Sequence, residues 1–307
     1  MTLVVPCYNE ELTLPLFYQE ACTTLDESTN DNKTCEFIFI DDGSTDATLT
    51  VLKNLASQDD RVHYISLSRN FGKEAALLAG LQAANGQFVV ALDADLQDPP
   101  SLIPEMYKAV SSGEFDCAGT RRVSRKGEPP IRSFFARRFY RIMAKITGME
   151  VIDGARDFRL MNRSYVNAIL SLPEQNRFSK GIFPWVGFKT KWFEYENIQR
   201  TAGVTKWSFW KLFLYSLDGI IAFSSKPLAI ASIMGILLFL VSLAFICFII
   251  IRRIAWGDPV DGWASTACII LFCSGIQLFT TGILGQYLAK TYTEAKRRPH
   301  FVIREAK

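Results

Sequence analysis

Short apolar runs alternate with amphipathic stretches along the first two thirds of the chain. The apolar runs have the length of buried strands and cover residues 3–6, 35–40, 62–67 and 88–92. The stretches between them have apolar residues at helical spacing and cover residues 11–26, 45–57, 72–84 and 101–111. Strands that alternate with helices predict an α/β domain whose mainly parallel sheet is covered on both faces, and we place this domain at residues 1–200.

Two much longer apolar segments follow. Residues 227–251 and 263–288 contain no charged side chain, and each exceeds the roughly 20 residues that a membrane-spanning helix needs. A pair of helices buried in a soluble core is the alternative. Charges balance in the short connection between the segments, whereas residues 289–307 are rich in Lys and Arg. The positive-inside rule therefore predicts a multi-pass protein of the inner (plasma) membrane, with a cytoplasmic tail at 289–307 and a cytoplasmic N-terminal domain.

Two further segments have features of a membrane surface. Residues 132–147 place apolar side chains on one helical face and basic ones, Arg138 among them, on the others. This pattern predicts an interfacial amphipathic helix that attracts anionic lipid and phosphate, and a core-facing helix with a solvated basic side is the alternative. Residues 201–226 contain Trp207 and Trp210 just before the first long apolar segment, which indicates a juxtamembrane interfacial segment.

The amino-acid composition argues against some classes of function and indicates the cellular environment of the first domain. A net charge of +3 gives no indication of nucleic-acid binding. The chain has two histidines, which argues against a histidine-based zinc site. Its seven cysteines include no C-x-x-C pair, which indicates reduced thiols and a cytoplasmic environment for the first domain.

The segment after the fourth apolar run carries the strongest chemical signal. Asp93 and Asp95 flank one alanine at a strand end, where both carboxylates can approach one cation, and Gln97 could add a carbonyl oxygen. Mg²⁺ usually shares its ligands between one or two carboxylates and substrate phosphates. The sequence therefore predicts a Mg²⁺ or Mn²⁺ site for a nucleotide diphosphate, with an ordinary acidic loop as the alternative.

Other polar residues follow the remaining strands, at the sheet edge where ligands bind in open α/β folds. Tyr8 offers an aromatic face for a base, and Glu10 offers a carboxylate for a ribose. Asp42 could accept from a ribose hydroxyl or a base N–H, and it could equally belong to an ordinary turn. Lys73 could meet a phosphate or simply be exposed.

These motifs together carry a family resemblance. In this order and spacing, V-P-C-Y-N-E-E, D-D-G-S-T-D, S-R-N-F-G-K-E, D-A-D-L-Q-D-P-P and G-T-R-R resemble the family 2 inverting glycosyltransferases with a GT-A fold. Residues 155–161 and 200–207 narrow the resemblance to the polyprenyl-phosphate glycosyltransferases, which include the dolichol-phosphate mannose synthases and, more closely, the bacterial bactoprenol glucosyltransferases. The resemblance covers almost the whole chain. Thr205 stands where serine is usual and Asn162 where aspartate is common.

The resemblance implies a role for each matching residue. The nucleotide would be bound by Pro6, Tyr8, Asn9, Glu10, Asp42, Lys73, Asp93 and Ala94. The metal would be bound by Asp93, Asp95 and Gln97. The diphosphate or the lipid phosphate would be bound by Arg121, Arg122, Arg138, Arg159, Arg200 and Lys206. Asp157 would be the catalytic residue; our hypothesis is that it orients the acceptor or the sugar and balances Arg156 and Arg159, and a purely structural salt bridge is the alternative.

The activity implied by the resemblance is inverting transfer of a hexose to undecaprenyl or another polyprenyl phosphate at the cytoplasmic membrane face. UDP-glucose is the first choice of donor; GDP-mannose, UDP-N-acetylglucosamine, UDP-galactose and a UDP-aminoarabinose derivative stay open. A non-catalytic membrane scaffold with a degenerate transferase domain is the alternative from another class. A processive synthase is disfavoured, because such enzymes usually have more than two membrane spans. A transporter is disfavoured, because it would have no use for the metal-binding motif. The expected partners are the nucleotide sugar, the lipid phosphate and the bilayer, without nucleic acid, and the protein could form homo-oligomers.

Overall fold

The computed structural model describes residues 1–28, 35–123, 152, 154–196, 221, 224–256 and 262–307. The chain forms two compact units, one of Met1–Ser216 with Arg297–Lys307 and one of Leu217–Lys296. The basic helix expected at residues 132–147 and most of the segment expected at 201–226 lie outside the described residues. Arg138, Arg200 and Lys206 lie outside them too.

An eight-stranded sheet forms the centre of the first unit. Its strands are β1 (Thr2–Cys7), β2 (Glu36–Asp41), β3 (Val62–Leu67), β4 (Phe88–Ala91), β5 (Cys117–Arg122), β6 (Ala155–Asn162), β7 (Thr190–Tyr195) and β8 (Ile303–Ala306). Their order across the sheet is β7-β5-β6-β4-β1-β2-β3-β8. Strands β6 and β8 run antiparallel to their neighbours, and the others are parallel to one another. The predicted mainly parallel sheet is therefore confirmed.

Helices cover both faces of this sheet. The helices described in the first unit are α1 (Leu14–Ser28), α2 (Thr48–Gln58), α3 (Lys73–Ala83), α4 (Ile103–Ser111), α5 (Arg163–Leu170) and α6 (Ser179–Trp185). On one face, Phe17 of α1 packs edge-on against Phe39 of β2. On the other, α3 approaches so closely that a Cβ on Gly80 would lie 2.6 Å from the Cδ1 atom of Ile40. Because Phe39 and Ile40 are adjacent on one strand, their side chains point to opposite faces.

Strand β8 was not predicted, since residues 289–307 were expected to form only a tail. It pairs with β3, with Ala306 opposite Ile65 and Glu305 opposite Ser66. Beyond it, the backbone of Lys307 donates to Tyr64 at 3.0 Å and accepts from it at 3.3 Å. The β8 side chains are mostly exposed, so no buried apolar run announces the strand. The chain therefore passes through the second unit and returns to the sheet of the first.

Two long helices make up most of the second unit. Helix α7 (Lys226–Trp256) and helix α8 (Trp263–Lys296) contain the apolar segments predicted at 227–251 and 263–288. Within the described part of the chain, one helix is long and apolar enough to cross a bilayer, over Lys226–Phe245. The hydroxyl of Tyr287 on α8 donates to the backbone oxygen of Ser224, just before α7, at 2.5 Å. Both apolar segments are therefore helical, and the crossing of a membrane by α7 and by α8 stays a prediction.

Removing residues 302–307 should destabilise the first unit. The truncation deletes β8 and leaves backbone groups of β3 without their partners, among them the N–H of Ser68, which donates to Val302 at 2.8 Å. Each backbone hydrogen bond contributes about 1 kcal/mol net. We therefore expect the midpoint of thermal unfolding, followed by circular dichroism in detergent, to fall by about 5 °C or more.

A matched control distinguishes the loss of stability caused by removing the strand pairing from that caused by removing a surface ion pair. Glu305→Gln removes only the exposed pair with Lys53, whose Nζ lies 2.7 Å from the carboxylate, and should shift the midpoint little. A truncated protein with an unchanged midpoint would show that β8 adds no stability.

Candidate active site

The sequence-predicted residues meet at one edge of the sheet. This carboxyl edge is where β1 to β5 and β7 end and where β6 and β8 begin. The register pairs Ala91 of β4 with Arg159 of β6. Two residues further toward the edge, Asp93 after β4 therefore comes beside Asp157 of β6. Residues far apart in the sequence are brought together here.

The ammonium group of Lys73 bridges these two aspartates. Its Nζ lies 2.7 Å from Oδ1 and 2.8 Å from Oδ2 of Asp93, and 2.6 Å from Oδ2 of Asp157. Burial alone would lower the pKa of Lys73, but the charges of Asp157 and Asp93 outweigh it and raise that pKa. Burial would raise the pKa of Asp157, but the charges of Lys73 and Lys180 outweigh it and hold that pKa well below its usual range. Lys73 and Asp157 are therefore both charged at neutral pH.

Asp42 holds the loop from which Lys73 projects. Its Oδ1 accepts from the backbone N–H of Phe71 at 2.7 Å, and its Oδ2 accepts from that of Gly72 at 2.9 Å. Burial raises the pKa of Asp42, and these two hydrogen bonds partly offset the rise. Both carboxylate oxygens are thus engaged with the start of α3. In this arrangement Asp42 positions Lys73, whereas the sequence led us to expect a contact with the nucleoside.

The loops after β1 and β2 are tied to each other. Asn9 has a positive φ of 55°, and its Oδ1 accepts from the backbone of Thr45 at 2.8 Å. The backbone N–H of Asn9 donates to the hydroxyl of Ser44 at 3.0 Å. Glu10 accepts from the hydroxyl of Thr13 at 2.6 Å. Asn9 is therefore a link between loops as well as a predicted nucleotide residue.

The remaining residues predicted to bind the nucleotide differ in exposure and in location. Tyr8 is 40% exposed, and it follows β1 at the carboxyl edge. Pro6 lies inside β1, paired in register with Ile40 of β2. Ala94 is buried between the two acidic residues.

The predicted metal ligands are only partly arranged as expected. Asp95 is buried, and its Oδ1 accepts from the backbone N–H of Gln97 at 3.2 Å. The Oε1 of Gln97 accepts from the guanidinium of Arg122 at 3.1 Å, so this oxygen serves another contact. The described residues contain no cluster of three or more His, Cys, Asp or Glu that could enclose a metal. Two carboxylates at a strand end still fit Mg²⁺ or Mn²⁺, because such ions take their other ligands from phosphates and water.

A buried ion pair fixes the acidic loop to two strands. Asp98 is fully buried, and its oxygens accept from Nε and Nη2 of Arg156 at 2.8 and 3.2 Å. The hydroxyl of Tyr195 on β7 also donates to Asp98. Arg156 therefore has Asp98 as its direct partner, and its charge adds to the lowering of the pKa of Asp157, so the expected charge balance between Asp157 and Arg156 stays a prediction.

The predicted phosphate-binding arginines lie in different surroundings. Arg121 forms an exposed ion pair with Glu194 on β7. Arg159 is buried, with its guanidinium 4.4 Å from the centre of the Phe183 ring and 5.0 Å from that of Trp192. A phosphate cannot reach it there, so the expected phosphate contact of Arg159 is not supported. Alternation along β6 places Arg159 on the same face as Asp157, and the rings that cover it, Phe183 and Trp192, are distant in the sequence.

Two further residues lie next to the bridge, and no sequence motif indicated them. Glu74, which follows Lys73, accepts from the backbone of Ser179 at 3.0 Å. Lys180 follows Ser179, and its charge acts on Asp157. The segment around Ser179 matches none of the motifs considered, and its relation to the site comes only from a contact across 105 positions of the chain.

The chain is similar to several known proteins. A family model described as glycosyl transferase family 2 matches residues 2–170. The putative glycosyltransferase CsbB of Bacillus subtilis (strain 168) is 41% identical over 306 residues, covering 100% of this chain and 92% of the relative. The prophage bactoprenol glucosyl transferase homolog of Escherichia coli (strain K12) is 39% identical, covering 100% of this chain and 99% of the relative. The bactoprenol glucosyl transferase of Shigella phage SfV is 38% identical with the same coverage.

Solved structures of similar fold include that of glucosyl-3-phosphoglycerate synthase from Mycobacterium tuberculosis in complex with Mn²⁺, uridine-diphosphate-glucose and phosphoglyceric acid. The TM-score is 0.50 at 20% identity, over 72% of this chain and 77% of that chain. At this identity the likeness concerns the fold alone.

Gly43→Ala should impair the site. Gly43 has a φ of +66°, and a Cβ there would lie 2.4 Å from the backbone carbon of Arg69. The substitution strains the turn and pushes it away from the loop that carries Lys73. We expect kcat/KM to fall at least about tenfold, as for the misplacement of a reacting group by a fraction of an ångström. Steady-state kinetics checks this, with Gly113→Ala as control because no atom lies within 4 Å of a Cβ there.

Because Gly113 also has a positive φ, of +78°, the control carries the same kind of backbone strain at a site remote from the chemistry. Equal losses in the two variants would contradict a specific role for the turn at Gly43.

Proposed function

Since the chain belongs to glycosyl transferase family 2 and is a glycosyltransferase, we propose that it transfers a hexose from a nucleotide-diphosphate sugar to a polyprenyl phosphate at the cytoplasmic membrane face. The proposed donor is UDP-glucose and the proposed acceptor is undecaprenyl phosphate, because two of its relatives are named as bactoprenol glucosyl transferases. The product is a polyprenyl-monophosphate sugar, formed with inversion at the anomeric carbon.

The bridge formed by Lys73 is the observation that carries this proposal. Asp93 belongs to the acidic motif expected to face the donor diphosphate, and Asp157 is the residue expected to face the acceptor. One ammonium group contacts both within 2.8 Å. Donor and acceptor sides are therefore adjacent, as a direct displacement at one carbon requires.

The chemistry of the acceptor suits a site without a strong base. A phosphate monoester has its second pKa near ~6, so it is largely dianionic at neutral pH and has no proton to lose before it attacks. Asp157 is paired with Lys73 and is a weak base, because its pKa is lowered. Asp157 is therefore proposed to orient the acceptor or the sugar, as a charged partner of Lys73.

Asp93 and Asp95 are the proposed ligands of a divalent ion. Bound there with the donor, Mg²⁺ or Mn²⁺ would supply positive charge to the departing diphosphate. The predicted roles of Arg200 and Lys206 as phosphate ligands remain part of the proposal.

The path of the chain supports two membrane crossings. The sheet of the first unit includes residues both before and after the two long helices. If α7 crosses the bilayer, the chain must cross again before β8, and α8 is the segment available for the return. Strand β7 precedes the two long helices in the sequence and ends at the carboxyl edge. Strand β8 follows these helices in the sequence and begins at the same edge. This favours an inner (plasma) membrane protein whose first unit and C-terminal segment are cytoplasmic.

Other donors are alternatives within the same reaction. GDP-mannose, UDP-N-acetylglucosamine, UDP-galactose and a UDP-aminoarabinose derivative would place the same diphosphate at Asp93 and Asp95. A scaffold without activity would not need the three charged groups to be held in contact.

Alanine at Asp93 and Asp95 should abolish formation of glycolipid. The two carboxylates are the proposed metal ligands, so their loss removes the charge that stabilises the leaving group. We expect the rate to fall at least about a hundredfold. The measurement uses radiolabelled UDP-glucose, undecaprenyl phosphate and protein in detergent, with and without EDTA, and follows label in the lipid fraction.

Asp60→Asn is the matched control, since Asp60 is an exposed aspartate before β3 at the opposite edge of the sheet. EDTA should reduce the wild-type rate as strongly as the double substitution does. If alanine at both positions left the rate unchanged, the proposed metal-dependent transfer would be wrong. Replacing UDP-glucose with each alternative donor in the same assay identifies the sugar.

Reporter fusions test the proposed topology. Green fluorescent protein joined after Lys307 should fluoresce, since it would stay in the cytoplasm. Alkaline phosphatase inserted after Asp258, between the two apolar segments, should be active because it would be exported. Active phosphatase fused after Lys307 would contradict the return of the chain through α8.

A further inference from the structure

The start of α6 is attached to the start of α3. The carboxylate of Glu74 accepts from the backbone N–H of Ser179 at 3.0 and 3.1 Å, and it also accepts from the hydroxyl of Ser179. Glu74 is adjacent to Lys73, whose ammonium contacts Asp93 and Asp157. The first residue of α6 is therefore fixed one residue away from the bridge.

The other part of α6 is attached to β6 and α5. The ring of Phe183 lies against the guanidinium of Arg159, at 4.4 Å from its centre. The backbone oxygen of Phe183 accepts from the hydroxyl of Tyr165 on α5 at 2.9 Å. With contacts at both its start and its middle, α6 has a defined position on the β6 side of the carboxyl edge.

This position brings a second cation to the acceptor side. Lys180 follows Ser179, and its charge contributes to the lowered pKa of Asp157. Lys73 already contacts two carboxylates, so its positive charge is offset by theirs. A dianionic acceptor phosphate that approaches Asp157 needs another positive group beside it, since a carboxylate repels it.

We infer that Lys180 binds the phosphate of the lipid acceptor, and that Glu74 is the positioning residue that holds Lys180 beside Asp157 through Ser179. The inference rests on the proposed function and adds an acceptor-binding residue that no sequence motif indicated. In the reaction, a phosphate oxygen of the acceptor forms the bond to the anomeric carbon. The bond from that carbon to the donor diphosphate breaks, and its electron pair leaves with the diphosphate. No proton is transferred, and Lys180 donates hydrogen bonds to the acceptor phosphate throughout.

Kinetics with separate variation of the two substrates tests the inference. Lys180→Met keeps the length of the side chain and removes its charge. We expect the KM for a short-chain polyprenyl phosphate to rise at least about tenfold, the usual effect of losing a hydrogen bond to a charged group. The KM for UDP-glucose should stay within about twofold. Lys180→Arg should restore much of the acceptor affinity, because it restores the charge.

Glu74→Gln and Ser179→Ala test the positioning role. Both weaken the contact that fixes α6 while leaving Lys180 in the chain, and both should raise the acceptor KM selectively, by less than Lys180→Met does. Lys189→Met is the control, since Lys189 is exposed before β7 at the opposite edge of the sheet. The thermal midpoint of each variant shows whether it is folded.

Direct binding makes the result independent of turnover. Radiolabelled farnesyl phosphate in detergent should bind the Lys180→Met variant at least about tenfold more weakly than it binds the wild type. Equal increases in both KM values, or unchanged acceptor binding in an active Lys180→Met variant, would overturn the inference and leave the proposed function standing. A wild-type protein that makes no polyprenyl-linked sugar with any donor of the panel would overturn both.

Discussion

The contact of one ammonium group with two carboxylates is the interaction on which the active site depends. Asp93 and Asp157 come from strands that run in opposite directions, and the register of β4 with β6 brings them side by side. Two carboxylates so close would repel each other strongly in a partly buried site. Lys73 offsets that repulsion, with its Nζ 2.7 Å from one and 2.6 Å from the other. In the proposed reaction, the bridge is therefore the condition for bringing a donor and an acceptor to the same place.

The protein holds this lysine through its backbone. Asp42 accepts from the amides of Phe71 and Gly72, and Gly43 lies against Arg69 where a larger residue would not fit. A second acidic residue, Asp98, fixes the loop that carries Asp93 by pairing with Arg156 below it. Several carboxylates at the carboxyl edge therefore position other groups. Much of the negative charge at this edge is already matched by arginine, lysine or backbone amides. An acidic edge can therefore attract the anionic substrate that we propose.

The sequence predicted the sheet well, and it predicted that the candidate site residues follow strands that end at one edge, because both predictions depend on local patterns. Apolar runs of strand length, separated by helical spacing, establish parallel strands, and polar residues after such strands meet at one edge by geometry alone. The errors concern contacts between distant parts of the chain. The sequence around a residue does not show which distant residue it contacts. Arg156 pairs with Asp98, and Glu74 accepts from Ser179. Arg159 lies between Phe183 and Trp192. Strand β8 was not predicted for a different reason. It is four residues long with mostly exposed side chains, and it is recognised as a strand mainly by its backbone pairing with β3.

The position of β8 has a consequence for how the protein is made. Its residues leave the ribosome only after both long helices have been synthesised, and until then the outer edge of β3 has no neighbour along that side. Completion of the sheet therefore comes after synthesis of both helices and depends on the helices being placed so that the chain can return. If the helices cross a membrane as proposed, a protein whose apolar segments failed to insert would keep an open strand edge, the kind of surface that promotes aggregation and recognition by proteases and chaperones. Correct insertion and a finished enzyme would in this way be coupled.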